Sequence, residues 1–289
     1  MASQRGKRIE RSQPERQATE VTVVKPAMSE LDTAVLIVGA GPRALVLALV
    51  LARMGVAVCI IDRKPGPCRE SRAVGMQART LELYRALGLS DLVVAERLPM
   101  VAGEIQVEGR PRARLPIGRM GPGVSPFPYL LIDPQDIHER ILVAALFEAG
   151  VAVDWCTSLG TLVSDVTDVA ATLERDGQRE EVRADWLVGA YGGRSLVRVG
   201  LGIGFGGGTA EGLVYMADVR TEQLEGTAIL GFGRNRFNVL FPLPNGRARL
   251  IGMVPQCSEA DGRIDYQDVA PDAERLTGLV AEDVVWFST

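Results

Sequence analysis

The stretch that decides the fold is Ala34 to Asp62, AVLIVGAGPRALVLALVLARMGVAVCIID. Ala34–Val38 is a short apolar run ended by glycine, the pattern of a buried strand. Pro42 stands where a helix would take its first residue and Gly55 just past where it would end, the usual asymmetry of helix termini. A helix over Pro42–Met54 and a second strand over Val56–Ile61 complete a βαβ unit. Gly39 and Gly41 let the chain turn sharply and let a pyrophosphate approach the backbone, and Ala44 keeps helix and strand close. An anion there would meet free amide hydrogens and the positive end of the helix dipole. Asp62 follows 21 residues after Gly41, where a carboxylate accepts from the ribose hydroxyls of an adenosine. The plainer alternative is a tight βα turn whose glycines serve packing alone.

The same stretch invites a membrane reading, since Ala34–Ala52 is nineteen residues long with Arg43 as its one charge. Gly39, Gly41 and Pro42 interrupt it, and a central arginine costs about 2.5–3.5 kcal/mol on insertion scales. Strand, turn and helix therefore explain it better, and no membrane partner is expected. No secretory signal is expected either, because no small-residue cleavage site follows the run.

Residues 1–30 are polar, without either hydrophobic period, and are expected as a disordered tail. Beyond Asp62, an amphipathic helix is expected over Thr80–Leu87, stopped by Gly88, with Met76, Leu81, Leu83 and Leu87 in the core. Pro111–Pro134 carries six prolines and three glycines and is expected as irregular loop and edge structure. A helix over Asp136–Phe147 follows, with His138 on its surface. Strands are then expected over Val151–Cys156, Ala170–Arg175 and Glu181–Val188, with an Asp176-Gly177 hairpin turn, and Ala184–Ala190 as a further buried strand. The glycine cluster Gly200–Gly208 precedes a second set: Leu213–Val219, Ala228–Gly231, Phe237–Pro242 and Ala248–Val254.

Composition excludes several classes. In 289 residues, 32 basic side chains face 36 acidic ones, which leaves no electrostatic footprint for a nucleic acid. Cys59, Cys68, Cys156 and Cys257 form no Cys-x-x-Cys pair, so no zinc site is expected and the thiols read as reduced in a cytoplasmic protein. The single histidine, His138, rules out a multi-histidine metal centre.

These residues alone leave NAD and FAD open. The segments IDRKPGP (Ile61–Pro67) and ESRAVGMQARTLELYRALGL (Glu70–Leu89) resemble the FAD-dependent aromatic hydroxylases, the class A flavoprotein monooxygenases related to para-hydroxybenzoate and phenol hydroxylases. The resemblance implies an α/β fold, a Rossmann-like FAD-binding domain over residues 31–200 with the Pro-rich insertion at 111–134, and a smaller β-rich substrate domain over 201–289. It implies FAD as cofactor, NADPH or NADH as reductant, and a small aromatic or polyketide-like substrate. The cofactor-binding set it marks is Gly39, Gly41, Pro42, Ala44, Asp62, Arg63, Arg72, Gln135 and Gly192. Arg72 as a surface cation and Gln135 as a polar loop residue are the structural alternatives. A 2′-phosphate site at Arg63 and Lys64 is disfavoured by the adjacent Asp62 carboxylate, which leaves solvated charge. Leu240–Arg247 (LFPLPNGR) resembles a strand and turn of the family's substrate domain. No catalytic residue is marked.

Two departures accompany the matches. In ADWLVGAYGGRSLVR (Ala184–Arg198), Gly192, Arg194, Ser195 and Arg198 match the family's second motif, but Tyr191 stands where the family has aspartate. The family's later Gly-Asp motif is absent, so the resemblance implies an incomplete C-terminus. A homo-oligomer or a second chain supplying the missing segment is the corresponding expectation. The alternatives are a degenerate, non-catalytic binding or assembly module, and an NAD-dependent dehydrogenase.

Overall fold

A computed structural model describes residues 32–69, 74–95, 97–119, 123–208, 212–221, 226–255 and 264–289. The tail expected over residues 1–30, Arg72 and Cys257 lie outside the described residues. Strand β1 (Thr33–Val38) leads through the glycine turn into helix α1 (Pro42–Arg53) and strand β2 (Val58–Asp62), as the sequence requires. Ile37, Leu45, Ala48 and Leu49 are fully buried in one cluster, because the helix lays its apolar face on the sheet, and Val38 is fully buried on the opposite face. Gly55 ends the helix in the left-handed region, φ +77°.

Next come β3 (Gly75–Met76), α2 (Ala78–Ala86), α3 (Ser90–Val94), β4 (Leu98–Met100), β5 (Ala102–Val107), β6 (Arg110–Leu115), β7 (Leu130–Ile132) and α4 (Gln135–Glu148). They are followed by β8 (Val153–Trp155), β9 (Ser158–Ser164), β10 (Val169–Arg175), β11 (Gln178–Gly189) and α5 (Leu196–Gly200). The chain closes with β12 (Val214–Arg220), β13 (Thr227–Gly233), β14 (Arg236–Leu243), β15 (Arg247–Met253), α6 (Tyr266–Thr277) and β16 (Asp283–Ser288).

The first sheet has the order β8-β2-β1-β11-β10-β9. The strands expected over Glu181–Val188 and Ala184–Ala190 are one twelve-residue strand, β11. Its first half pairs antiparallel with β10 and its second half parallel with β1. The hairpin into it turns at Asp176-Gly177, with φ +51° and +77°, the double-positive turn that suits strand twist.

The second sheet has the order β16-β12-β15-β14-β13-β5-β6. Strands β5 and β6 reach it from a segment that precedes α4, with β5 parallel to β13. Part of the Pro-rich stretch is therefore ordered: β6 is an exposed edge strand, where missing proline donors are tolerated, and β7 forms a small sheet with β3 and β4. Directly paired in register, Asp218 and the fully buried Arg249 form a bidentate ion pair, with both contacts at 2.7 Å.

Helix α6 has no counterpart in the sequence reading. Its signal was present: Asp265 and Asp268 form a capping box and Gly278 ends the helix at φ +71°. Pro271 in its interior and its mostly polar composition hid an apolar face of Tyr266, Val269, Ala273 and Leu276. Of the α2 positions expected in the core, Leu81 is fully buried but Leu83 is 47% exposed, because it points away from the face that Leu81 and Tyr84 share.

Helix α6 presses directly on β13: a β-carbon added at Gly231 would sit 2.3 Å from the carbonyl oxygen of Leu276. Gly231→Ala is expected to lower stability by about 1–3 kcal/mol, the usual cost of overpacking. A urea denaturation midpoint equal to the parent's would show that the helix yields freely.

Candidate functional site

Three parallel strands, β2, β1 and β11, end side by side, and the site is built on their carboxyl ends. Gly39 donates to the Ile61 carbonyl at 2.8 Å, and Ala190 to the Val38 carbonyl at 2.8 Å. Gly39 has φ +109°, and a β-carbon there would lie 2.8 Å from the Ala190 oxygen. Only glycine meets both conditions. At Gly41 the reason differs: it is the N-cap of α1, and an added β-carbon would meet nothing within 4 Å. That side is open space.

Two adjoining cavities fill that space. One of about 520 Å³ is lined by Gly41, Pro42, Ala44, Gly75, Gln77, Thr80, Asp133, Gln135, His138 and Gly192. The other, of about 270 Å³, is lined by Gly39, Gly41, Asp62, Arg63, Lys64, Gln135, Glu139, Tyr191 and Gly192. Every described residue of the expected cofactor set lines one or both. The N-terminus of α1 between them has no side-chain cap and no acid in its first turn, so its first amides face the groove.

Asp62 is 5% exposed. One carboxylate oxygen accepts from the Ala40 amide at 2.7 Å and the other from the Lys64 amide at 2.9 Å. The residue expected to meet a ribose also holds the glycine turn in place. Each oxygen keeps a lone pair for a further donor. Gln135 donates to Glu139 at 2.9 Å. Glu139, 1% exposed, also accepts from the Cys68 amide at 2.7 Å and lies 3.7 Å from the Lys64 ammonium. Glu139 was not singled out from sequence; its place one turn after Gln135 was the available signal.

The motif around Tyr191 divides. Ser195 caps α5, accepting from the Arg198 amide at 3.2 Å, and Arg198 donates to the Gly193 carbonyl at 2.8 Å. Those two matches hold the turn together, while Tyr191 and Gly192 face the groove.

His138 is not on the surface. It lies on the buried side of α4, its side chain 12% exposed, because α2 packs there and offers Tyr84, whose hydroxyl is 2.6 Å from Nε2. Burial pushes the Tyr84 phenol well above its ordinary pKa, so it keeps its proton and can donate to Nε2 of a neutral imidazole that carries its own proton on Nδ1. That nitrogen lies 3.9 Å from an oxygen of Asp133 that is buried without a hydrogen-bond partner. Arg97 donates to the other oxygen at 2.7 Å. Burial raises the Asp133 pKa against the pull of Arg97 and His138, and it lowers that of His138 against the pull of Asp133 and Glu139.

Cys59 and Cys68 are poorly placed for thiolate chemistry. Burial, helped by neighbouring carboxylates, pushes the Cys59 thiol up to about 11 and the Cys68 thiol up to about 12. No cluster of potential metal ligands occurs among them, and no helix among them is long and apolar enough to cross a membrane.

Comparison with known proteins adds the following. The profile of the family described as "FAD binding domain" matches residues 32–284. The 6-methylpretetramide 4-monooxygenase of Streptomyces rimosus is 40% identical over 171 residues, 58% of this chain and 30% of that protein. The pentachlorophenol 4-monooxygenase of Sphingobium chlorophenolicum is 31% identical over 227 residues, 76% of this chain and 42% of that protein. The solved structure of the flavin-dependent monooxygenase PieE in complex with FAD and substrate superposes with a TM-score of 0.78 at 26% identity. That superposition covers 90% of this chain and 50% of that one. The chain thus spans between 30% and 50% of the length of these three proteins.

The lowered pKa of His138 has a definite sign for stability. Below pH 6.5 the unfolded chain takes up a proton on this histidine more readily than the folded chain, so its contribution is present above 6.5 and is lost as pH falls toward the folded value. Asp133, raised, acts oppositely, its contribution falling as pH rises from 3.8 through its folded value. His138→Gln is therefore expected to flatten the loss of stability between pH 7.5 and 5.5. Urea denaturation at both pH values measures it, and an unchanged difference would refute the assignment.

Proposed function

Because this chain belongs to the FAD binding domain family, we propose that it forms the cofactor-binding and substrate-facing part of a flavin-dependent monooxygenase. Its substrate would be an aromatic or polyketide-like ring, with NADPH or NADH as reductant. The observation that carries the reading is the uncapped N-terminus of α1 at Gly41, opening on two joined cavities that Asp62, Gln135 and Gly192 line. The groove suits FAD: the open side of Gly41 leaves room for a diphosphate against the amides, and Asp62 retains lone pairs for a ribose. Gly75 and Gln77 also line the larger cavity. Bound FAD would supply the electron transfer and oxygen activation that these side chains cannot. The protein's share is to hold the dinucleotide extended, orient the ring and exclude water.

The substrate class rests on the relatives' names, a pretetramide and a pentachlorophenol monooxygenase. Tyr191 favours a second reading, a non-catalytic FAD-binding module, because it removes a carboxylate that the resemblance assigns to FAD and the nicotinamide. The two readings part on one experiment. Purified protein loaded with FAD is mixed with NADPH or NADH and a phenolic panel, and nicotinamide consumed, peroxide formed and product made are scored separately. Hydroxylated product supports the monooxygenase; flavin-loaded protein that oxidises neither nicotinamide supports the module.

For the binding residues, Asp62→Ala is expected to weaken FAD binding by about 1.5–3 kcal/mol, the worth of hydrogen bonds to a charged group. Gly41→Val is expected to abolish it, since a branched side chain fills the space left for the diphosphate. Both are measured by FAD fluorescence titration, with circular dichroism to verify the fold. A folded Gly41→Val protein that still binds would move the phosphate site elsewhere.

A further inference from the structure

Arg63 and Tyr191 come from the two strands that flank β1. Arg63 directly follows Asp62 at the end of β2, and Tyr191 follows Ala190 at the end of β11, whose amide is held by the Val38 carbonyl. Their contact passes across the carboxyl end of β1, where the glycine turn begins. The guanidinium carbon lies 5.0 Å from the centre of the tyrosine ring, within cation–π range. Both side chains line the smaller cavity, together with Asp62 and Gly39. The Tyr191 backbone packs closely on the glycine turn: a β-carbon added at Gly39 would lie 3.0 Å from the Tyr191 amide nitrogen.

The neighbouring cations are used differently. Lys64 lies within 4 Å of both Asp62 and Glu139, so its charge is committed. Arg63 makes no ion pair among the described residues, and an aromatic face is what holds it. The distinction has chemical content. A carboxylate at residue 191 would engage Arg63 through its N–H edge, in the fork geometry that arginine favours, and would occupy those donors. An aromatic ring engages the flat face instead and leaves the N–H edge free.

We propose that Tyr191 is a positioning residue that holds Arg63 by its face, so that the guanidinium and the Asp62 carboxylate together recognise the adenosine half of a bound dinucleotide. This deepens the FAD-binding reading and rests on it. Tyrosine at this position is then a substitution of one way of holding the arginine for another, and the free donors are its consequence. Burial raises the Tyr191 pKa, so the ring stays a neutral phenol throughout the working pH range.

The test uses the whole chain and three probes, FAD, AMP and FMN, titrated by calorimetry. Tyr191→Ala is expected to weaken FAD and AMP by about 3- to 30-fold, the range of a partly desolvated cation–π contact, and to leave FMN unchanged. Tyr191→Phe, which keeps the ring, should remain within about 2-fold of the parent for all three. Arg63→Gln should reproduce the Tyr191→Ala pattern. Tyr191→Asp decides most sharply: the proposal requires weaker AMP binding, because the new carboxylate takes the arginine donors. Unchanged AMP affinity in Tyr191→Ala, or tighter AMP and FAD binding in Tyr191→Asp, would overturn it. Those results leave the FAD reading intact as long as the parent binds FAD. A parent that binds AMP with the expected variant pattern but neither FAD nor FMN would keep the clamp and refute the FAD reading. A parent that binds none of the three refutes both, and thermal melts of each variant separate unfolding from lost recognition.

Discussion

The groove depends on the hydrogen bond by which Ala40 donates its amide to the Asp62 carboxylate at 2.7 Å. It is buried and charge-assisted, of a kind worth about 1.5–3 kcal/mol, and it joins the turn after β1 to the end of β2. Asp62 also takes the Lys64 amide, so one carboxylate sets the direction of both chains as they leave the sheet. Gly39 completes the constraint from the other side by pressing on Ala190 without a side chain between them. With the turn pinned between β2 and β11, Gly41 and the first amides of α1 have one place to point, which is the cavity.

Two helix N-termini meet this region, and their chemistry differs. Helix α4 carries Asp136 in its first turn, with the buried acids Asp133 just before it and Glu139 one turn in, so its positive end is already matched by protein carboxylates. Asp133 and Glu139 are in turn held by Arg97, Lys64 and the Cys68 amide. Helix α1 has no acid in its first turn and no cap. Among the described residues no side chain caps it, which leaves its first amides available to an anion. The charge layout thus favours an anion at the N-terminus of α1 over that of α4.

The second sheet is tied to the first unit by chain exchange rather than by a simple linker. Strands β5 and β6 leave the segment between α3 and α4 to join β13, and the chain then returns to β7 and α4. The wall of the larger cavity at Asp133, Gln135 and His138 therefore follows a segment whose earlier part is fixed in the other sheet.

Much of this was legible in the sequence because it is local. The βαβ unit, the hairpin at Asp176-Gly177 and the four strands from β12 to β15 each declare themselves through a hydrophobic period and a turn residue. So do Gly39, Gly41 and Asp62, whose spacing is a property of one strand, one turn and one helix. Helix α6 was missed although its capping box was in plain view, since Pro271 and a polar composition argued against it. What only the tertiary structure decided are pairings between residues far apart in the chain: Tyr84 with His138, Arg97 with Asp133, Cys68 with Glu139, and Arg63 with Tyr191. Spacing carries no information about such contacts. His138 looked like a surface residue because its helix face could be judged only once α2 was known to pack against it. Tyr191 looked like a simple loss of charge until its ring was found against the Arg63 guanidinium. A sequence specifies which groups are available; the packing of separate segments determines which of them become partners and what they are left free to do.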